Sequence, residues 1–175
     1  MKILVWAAAA LVAAGFASVP AHAQGPRTER IPGGEVRLEW PELNGDPRLR
    51  QTLAIGPTRL AMQATDLGEF SLQANGRALL TGEEGFGGFA GVYPAQDRTF
   101  VLLTVESGGR VCPARFRILE MGQGGMAVSP AFGTCAPNPR ATVTEDGRLR
   151  VQVAAWQRRA AQVVTFRDGA MREGR

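Results

Sequence analysis

The side chains with chemical reach in this chain are nineteen arginines, sixteen carboxylates and two cysteines. Lysine and histidine occur once each, at Lys2 and His22. A serine hydrolase needs a His base, a papain-like protease needs Cys with His, and zinc enzymes mostly use His ligands. Schiff-base chemistry needs Lys. What survives is carboxylate chemistry and arginine recognition. Glycoside hydrolysis needs only two carboxyl groups, one acid and one nucleophile or base. The adjacent pairs Glu83-Glu84 and Glu145-Asp146 are the candidates. Neighbours on a strand point to opposite faces, however, and Asp146 stands in a turn sequence, where Asp is expected for conformational reasons. No catalytic residue, metal site or cofactor follows from these pairs.

The arginines are spread unevenly. Residues 24–109 hold 8 Arg against 11 acidic residues, and residues 110–175 hold 11 against 5. In Ala114-Arg115-Phe116-Arg117-Ile118 the two arginines share one face of a strand and the apolar residues share the other. Residues 148–153 repeat the pattern with Arg148 and Arg150. If these strands are neighbours, Arg115, Arg117, Arg148 and Arg150 make one basic patch. The planar guanidinium fork donates two parallel hydrogen bonds and suits carboxylate or phosphate. The alternative is an ordinary solvated face. The expected partner is an anionic envelope component or a protein. Nucleic acid is not expected, because the net charge is small and no recognition motif is present. Residues 82–91, GEEGFGGFAG, lack the Gly-Lys-Ser/Thr of a phosphate loop. Phe86 and Phe89 read as core-facing aromatics more readily than as a binding surface.

The elements that must position these residues begin after the N-terminus. Met1-Lys2, an apolar run over 3–19 and Pro20-Ala21-His22-Ala23 form the charge, apolar core and small-residue site of a secretory signal. Cleavage is expected between Ala23 and Gln24, and it would remove the only Lys and the only His. Nothing after Ala23 approaches the ~20 apolar residues of a membrane span. The expected location is periplasmic or secreted. There the even pair Cys112 and Cys135 reads as a disulfide.

Residues 24–35, rich in Pro and Gly, read as a flexible lead-in to one β domain over 36–175. Asp46-Pro47 with Leu49, Leu53 and Ala54 at helical spacing suggests one short helix near 46–55. From residue 58 onward short alternating runs are split by Asn75-Gly76, Asp146-Gly147 and Asp168-Gly169, all hairpin signals. Residues 99–105, TFVLLTV, are apolar on both faces and should form a central strand covered on both sides. The expected fold is mostly β, an antiparallel sandwich or open barrel.

Gly108-Gly109-x-x-Cys112-Pro113-x-x-Phe116, followed by Phe132-Gly133-Thr134-Cys135 and a DG hairpin, resembles a segment of uncharacterised exported bacterial β-rich proteins. The resemblance covers residues 108–153. It implies a Cys112–Cys135 bridge and a periplasmic location, and no activity. The function expected overall is a non-enzymatic binding or structural module. A carbohydrate-active hydrolase using two carboxylates and an inhibitor of a foreign hydrolase are the alternatives.

Overall fold

The computed structural model describes residues 26–43, 46–64, 69–106 and 112–174. The expected signal, residues 1–23, and the Ala23/Gln24 junction lie outside the described residues. Among the described residues there is no helix, and hence none long and apolar enough to cross a membrane.

The chain opens with β1 (Arg27–Ile31) and β2 (Gly34–Glu39), then a short pair, β3 (Glu42–Leu43) and β4 (Asp46–Pro47). Four longer strands follow: β5 (Arg50–Ile55), β6 (Thr58–Ala64), β7 (Glu69–Ala74) and β8 (Arg77–Glu84). They make an antiparallel N-terminal sheet in the order β1-β2-β5-β6-β7-β8. The middle sheet is built from β9 (Phe86–Pro94), β10 (Arg98–Glu106), β11 (Ala114–Gly122), β12 (Gly125–Val128) and β13 (Phe132–Cys135). The last sheet is a meander of β14 (Arg140–Val143), β15 (Leu149–Val153), β16 (Gln162–Arg167) and β17 (Ala170–Gly174).

The middle sheet is shared by two cores. Val101 and Leu103 on β10 pack with Leu53, Leu60, Met62, Phe70 and Leu72 of the N-terminal sheet. Phe100 and Leu102, pointing the other way, pack with Leu149, Val151, Val164 and Phe166 of the C-terminal sheet. Strand alternation therefore sends each half of TFVLLTV into a different core. Each fully buried Phe or Leu contributes about 1.5–3 kcal/mol. The result is two sandwiches back to back, with no closed barrel among the described sheets.

The glycine-rich segment forms the end of β8 and the start of β9, and Phe89 is buried in the first core. Gly87 is required where β9 passes against the N-terminal sheet: a Cβ there would lie 2.4 Å from Met62 Sδ and 2.6 Å from the Phe70 ring. Gln51 joins the same two sheets, its side-chain NH2 donating to the Gly87 carbonyl at 2.9 Å.

Two expectations are corrected. Residues 50–55 form a strand, not a helix, because β5 is hydrogen-bonded between β2 and β6. Leu49, Leu53 and Ala54 do not share one buried stripe: Leu53 is buried and Ala54 faces solvent. Pairing between strands overrides local helical spacing. Residues 27–31 and 34–35, expected within a flexible lead-in, belong to strands. β1 pairs along its whole length with β2, and its polar sequence, RTERI, carries no apolar alternation because it sits at the sheet edge.

The hairpin signals are realised. Asn75-Gly76 (φ 48° and 82°) and Asp168-Gly169 (φ 53° and 72°) place both central residues at positive φ, as type I′ turns require. Cys112 and Cys135 form a disulfide, linking the entry of β11 to the end of β13. A bridge of this loop length restrains the unfolded chain by about 3 kcal/mol.

Candidate functional site

The four arginines singled out by alternation are not brought together. Arg115 and Arg117 stand opposite Val105 and Leu103 on β10, so they lie on the face of the middle sheet that looks toward the N-terminal sheet. Arg148 and Arg150 alternate with Leu149 and Val151, which point into the second core. They therefore lie on the outer face of the C-terminal sheet. Two sheets, packed about 10 Å apart, separate the pairs. Arg115 and Arg117 have local work: they donate to the carbonyls of Ala131 at 2.8 Å and Ser129 at 2.9 Å. That stretch is the kink between β12 and β13, which share one edge of β11. Pro130 has no N–H, and there the Ser129 hydroxyl accepts from the Ile118 amide at 2.9 Å.

The structure assembles a different basic surface around the other two. Register makes Arg150 the partner of Thr142 on β14 and of Thr165 on β16, and Thr165 the partner of Arg172 on β17. Cross-strand partners share a face. One row across the sheet thus reads Thr142, Arg150, Thr165, Arg172. In the next row Arg140 stands opposite Gln152. Arg150 and Arg172 lie in one row, about 10 Å apart straight across the strands, and Arg140 is offset by two residues along β14, about 7–8 Å from Arg150 on the diagonal, so the three mark a bent track.

These three guanidinium groups have no carboxylate partner among the described residues. Arg140 and Arg172 are exposed. Arg150 is half-buried, and the neutral Gln152 side-chain oxygen, in the amide orientation its surroundings favour, accepts from it at 2.8 Å. The lower end of the face differs. There Arg148 pairs with Asp146 at 2.6 Å, and Arg167 donates to the Asp146 carbonyl and stands 3.3 Å from Asp168. The Thr144 hydroxyl at 2.5 Å and Arg148 hold the Asp146 carboxyl below its ordinary range. Glu145-Asp146 is a turn, stabilised by its own side chains. Glu83 and Glu84 stand in register with Phe70 and Glu69.

A cleft of about 460 Å³ lies beside Arg98, lined by Asp97, Glu120, Met126 and Asp168 among others. The β16–β17 turn meets the middle sheet here. Glu120, on β11, is buried. Its two oxygens accept from the amides of Asp168 at 3.0 Å and Gly169 at 2.9 Å, and Arg98 donates to the same carboxylate. Arg98 also bonds Asp97 at 2.6 Å and Asp168 at 2.5 Å. Its hydrogen bonds to Asp97, Asp168 and Glu120 raise the guanidinium further above its ordinary value. The Arg98 hydrogen bond is also the main cause that brings Asp97 down to about 2 and lowers Asp168. A glycosidase acid needs a carboxyl that keeps its proton at working pH. Asp97 and Asp168 are ionised there, and the Glu120 oxygens are occupied by three donors. These bonds make a clasp that holds the β16–β17 turn against the middle sheet. Among the described residues no group of His, Cys, Asp and Glu is placed to hold a metal ion.

Sequence reasoning found Arg148 and Arg150 on the basic face and missed Arg140 and Arg172. The missing signal was present for Arg172: the two-residue Asp168-Gly169 turn sets a register in which Arg172 must fall opposite Thr165. Compared with protein-family models, curated proteins and solved structures, the chain matches none.

Proposed function

We propose that this protein is a non-enzymatic binding module that works in an oxidising compartment outside the cytoplasm and docks an anionic macromolecule on the outer face of its C-terminal sheet. One observation carries the reading: Arg140, Arg150 and Arg172 share a solvent face, and none has a carboxylate partner among the described residues. Clustered guanidinium groups held apart by a rigid sheet repel one another, and an anionic ligand relieves that repulsion while accepting bidentate hydrogen bonds. The Cys112–Cys135 bridge supports the compartment.

The test is retention on immobilised dextran sulfate. Arg140→Gln/Arg150→Gln/Arg172→Gln removes three charges from the face. Arg27→Gln/Arg30→Gln/Arg37→Gln removes three from the opposite end of the molecule and serves as the equal-charge control. The wild type and the control should be retained to similar salt concentrations, and the face variant should elute early. Equal early elution of both variants would mean that net charge alone governs retention, and the reading would fail.

A further inference from the structure

Resting on that reading, we infer that the ligand is a linear acidic polysaccharide laid across the strands of the C-terminal sheet. Three features of the face select this class. The first is the spacing of the charges. Twice the strand separation places Arg150 and Arg172 about 10 Å apart, and Arg140 lies about 7–8 Å from Arg150 on the diagonal, one step off that row. A chain with one acid group on every second sugar spaces its charges widely, as these guanidinium groups are spaced.

The second feature is what lies between the charges. Thr142, Thr165 and Gln152 alternate with the arginines on this face. These are hydroxyl and amide groups, able both to donate and to accept. An acidic polysaccharide likewise alternates carboxylates with runs of hydroxyls. A guanidinium–hydroxyl–guanidinium row is complementary to that pattern group by group.

The third feature is what the face lacks. Its residues include no aromatic ring on which a base could stack. They also include no exposed large apolar side chain to insert into a bilayer. Met126 is the exposed large hydrophobic residue among those described, and it belongs to the Arg98 cleft. Half-buried Val163, opposite Gln152, is the apolar residue in the Arg140–Gln152 row, and the arginine-studded sheet can lie along a hydrated polymer without burying a large apolar side chain.

The experiment titrates the full chain, purified in its exported and oxidised form, with three probes at matched charge concentration. They are hyaluronate, which carries one carboxylate per disaccharide, oligo(dT), and vesicles of phosphatidylglycerol in phosphatidylcholine. Hyaluronate should bind tightest, and its binding should weaken as salt rises, through screening of the guanidinium–carboxylate attraction. Arg140→Gln/Arg150→Gln/Arg172→Gln should abolish this binding. Arg140→Lys/Arg172→Lys keeps the charge and loses the fork, and should weaken it by about tenfold, the worth of a lost bidentate bond. The lysine variant alters only exposed side chains, so its far-ultraviolet dichroism and melting should match the wild type. Tighter binding of oligo(dT) or of vesicles, with the same dependence on the three arginines, would overturn the polysaccharide and leave the arginine face standing. Hyaluronate binding that survives the triple substitution would overturn both.

Discussion

The N-terminal and C-terminal sheets cover opposite sides of the middle sheet, and both carry arginines outward. Along β1 and β2 of the N-terminal sheet the charges cancel locally, while Arg59 and Arg77, farther across that sheet, are exposed with no carboxylate partner among the described residues. Arg30 meets Glu35 at 3.2 Å, Arg37 meets Glu39 at 2.6 Å, and Arg27 meets Glu29 at 2.8 Å. On the C-terminal sheet, pairing is confined to the end beside Asp146 and Asp168, and Arg140, Arg150 and Arg172 are left to solvent. An exposed ion pair contributes little to stability, about 0–1 kcal/mol. What the comparison teaches is therefore about binding rather than folding. The β1–β2 edge is electrically closed, and the face around Arg150 gathers three guanidinium groups with donors to spare.

The two sandwiches also differ in how they are joined to the middle sheet. The N-terminal one is linked by a neutral amide, Gln51. The C-terminal one is linked by a buried charge, Glu120, whose side chain is 6% exposed. This difference makes the largest prediction. Glu120→Ala takes the acceptor from Arg98 and from two backbone amides at once. It should cost about 4 kcal/mol in urea unfolding, in the range for breaking a buried ion pair. Gln51→Ala, which removes neutral hydrogen bonds, should cost about 1–2 kcal/mol. Equal losses would erase the distinction between the two joints.

Acid should loosen the charged joint first. Asp97 and Asp168 bind protons less readily in the folded chain than in the unfolded one, so their contribution is complete above the ordinary carboxylate range. It is lost as pH falls from about 4 through the folded Asp97 value of about 2. The Asp97 carboxyl carbon resonance should titrate with a midpoint near 2. A midpoint near the ordinary value of about 4 would show that Arg98 does not engage it in solution.

The sequence was most legible where one physical rule acts alone. The doubly apolar 99–105 could only be covered on both sides, and Asn75-Gly76 and Asp168-Gly169 could only turn. Alternation also placed each arginine on the correct side of its own strand. What alternation cannot state is which strand lies beside which. Phe116 and Val151 both point inward, and because their sheets pack face to face, the arginines behind them point away from each other. The Arg98–Glu120–Asp168 clasp was invisible for the same reason, since Arg98 and Asp168 are 70 residues apart. Residues 50–55 misled because helical spacing of three apolar residues is cheap to meet by chance, and pairing with β2 and β6 decides the outcome.

The turn above the arginine face was missed altogether, and it makes the smallest prediction. Trp156 and Arg159 close a two-residue hairpin between β15 and β16, their amides and carbonyls exchanging bonds at 2.9 and 3.0 Å. Gln157, the first central residue, has φ 52°. That position favours glycine, and neither Gln nor Arg158 announces a turn. The neighbouring Trp156 indole N–H is shut off from solvent and has no acceptor among the described residues, so two local costs meet in one loop. A left-handed non-glycine residue costs about 1–2 kcal/mol, and glycine gives back about 0.5–1 kcal/mol through the freer unfolded chain. Gln157→Gly should therefore stabilise the protein by about 0.5 kcal/mol, a rise of about 1–2 °C in Tm. The same substitution at Asn75, whose side chain accepts from the Arg59 amide at 2.8 Å, should give no gain. A loss of stability on Gln157→Gly would mean that the loop is held by a contact of the glutamine itself, and that the strain is not free to be relieved.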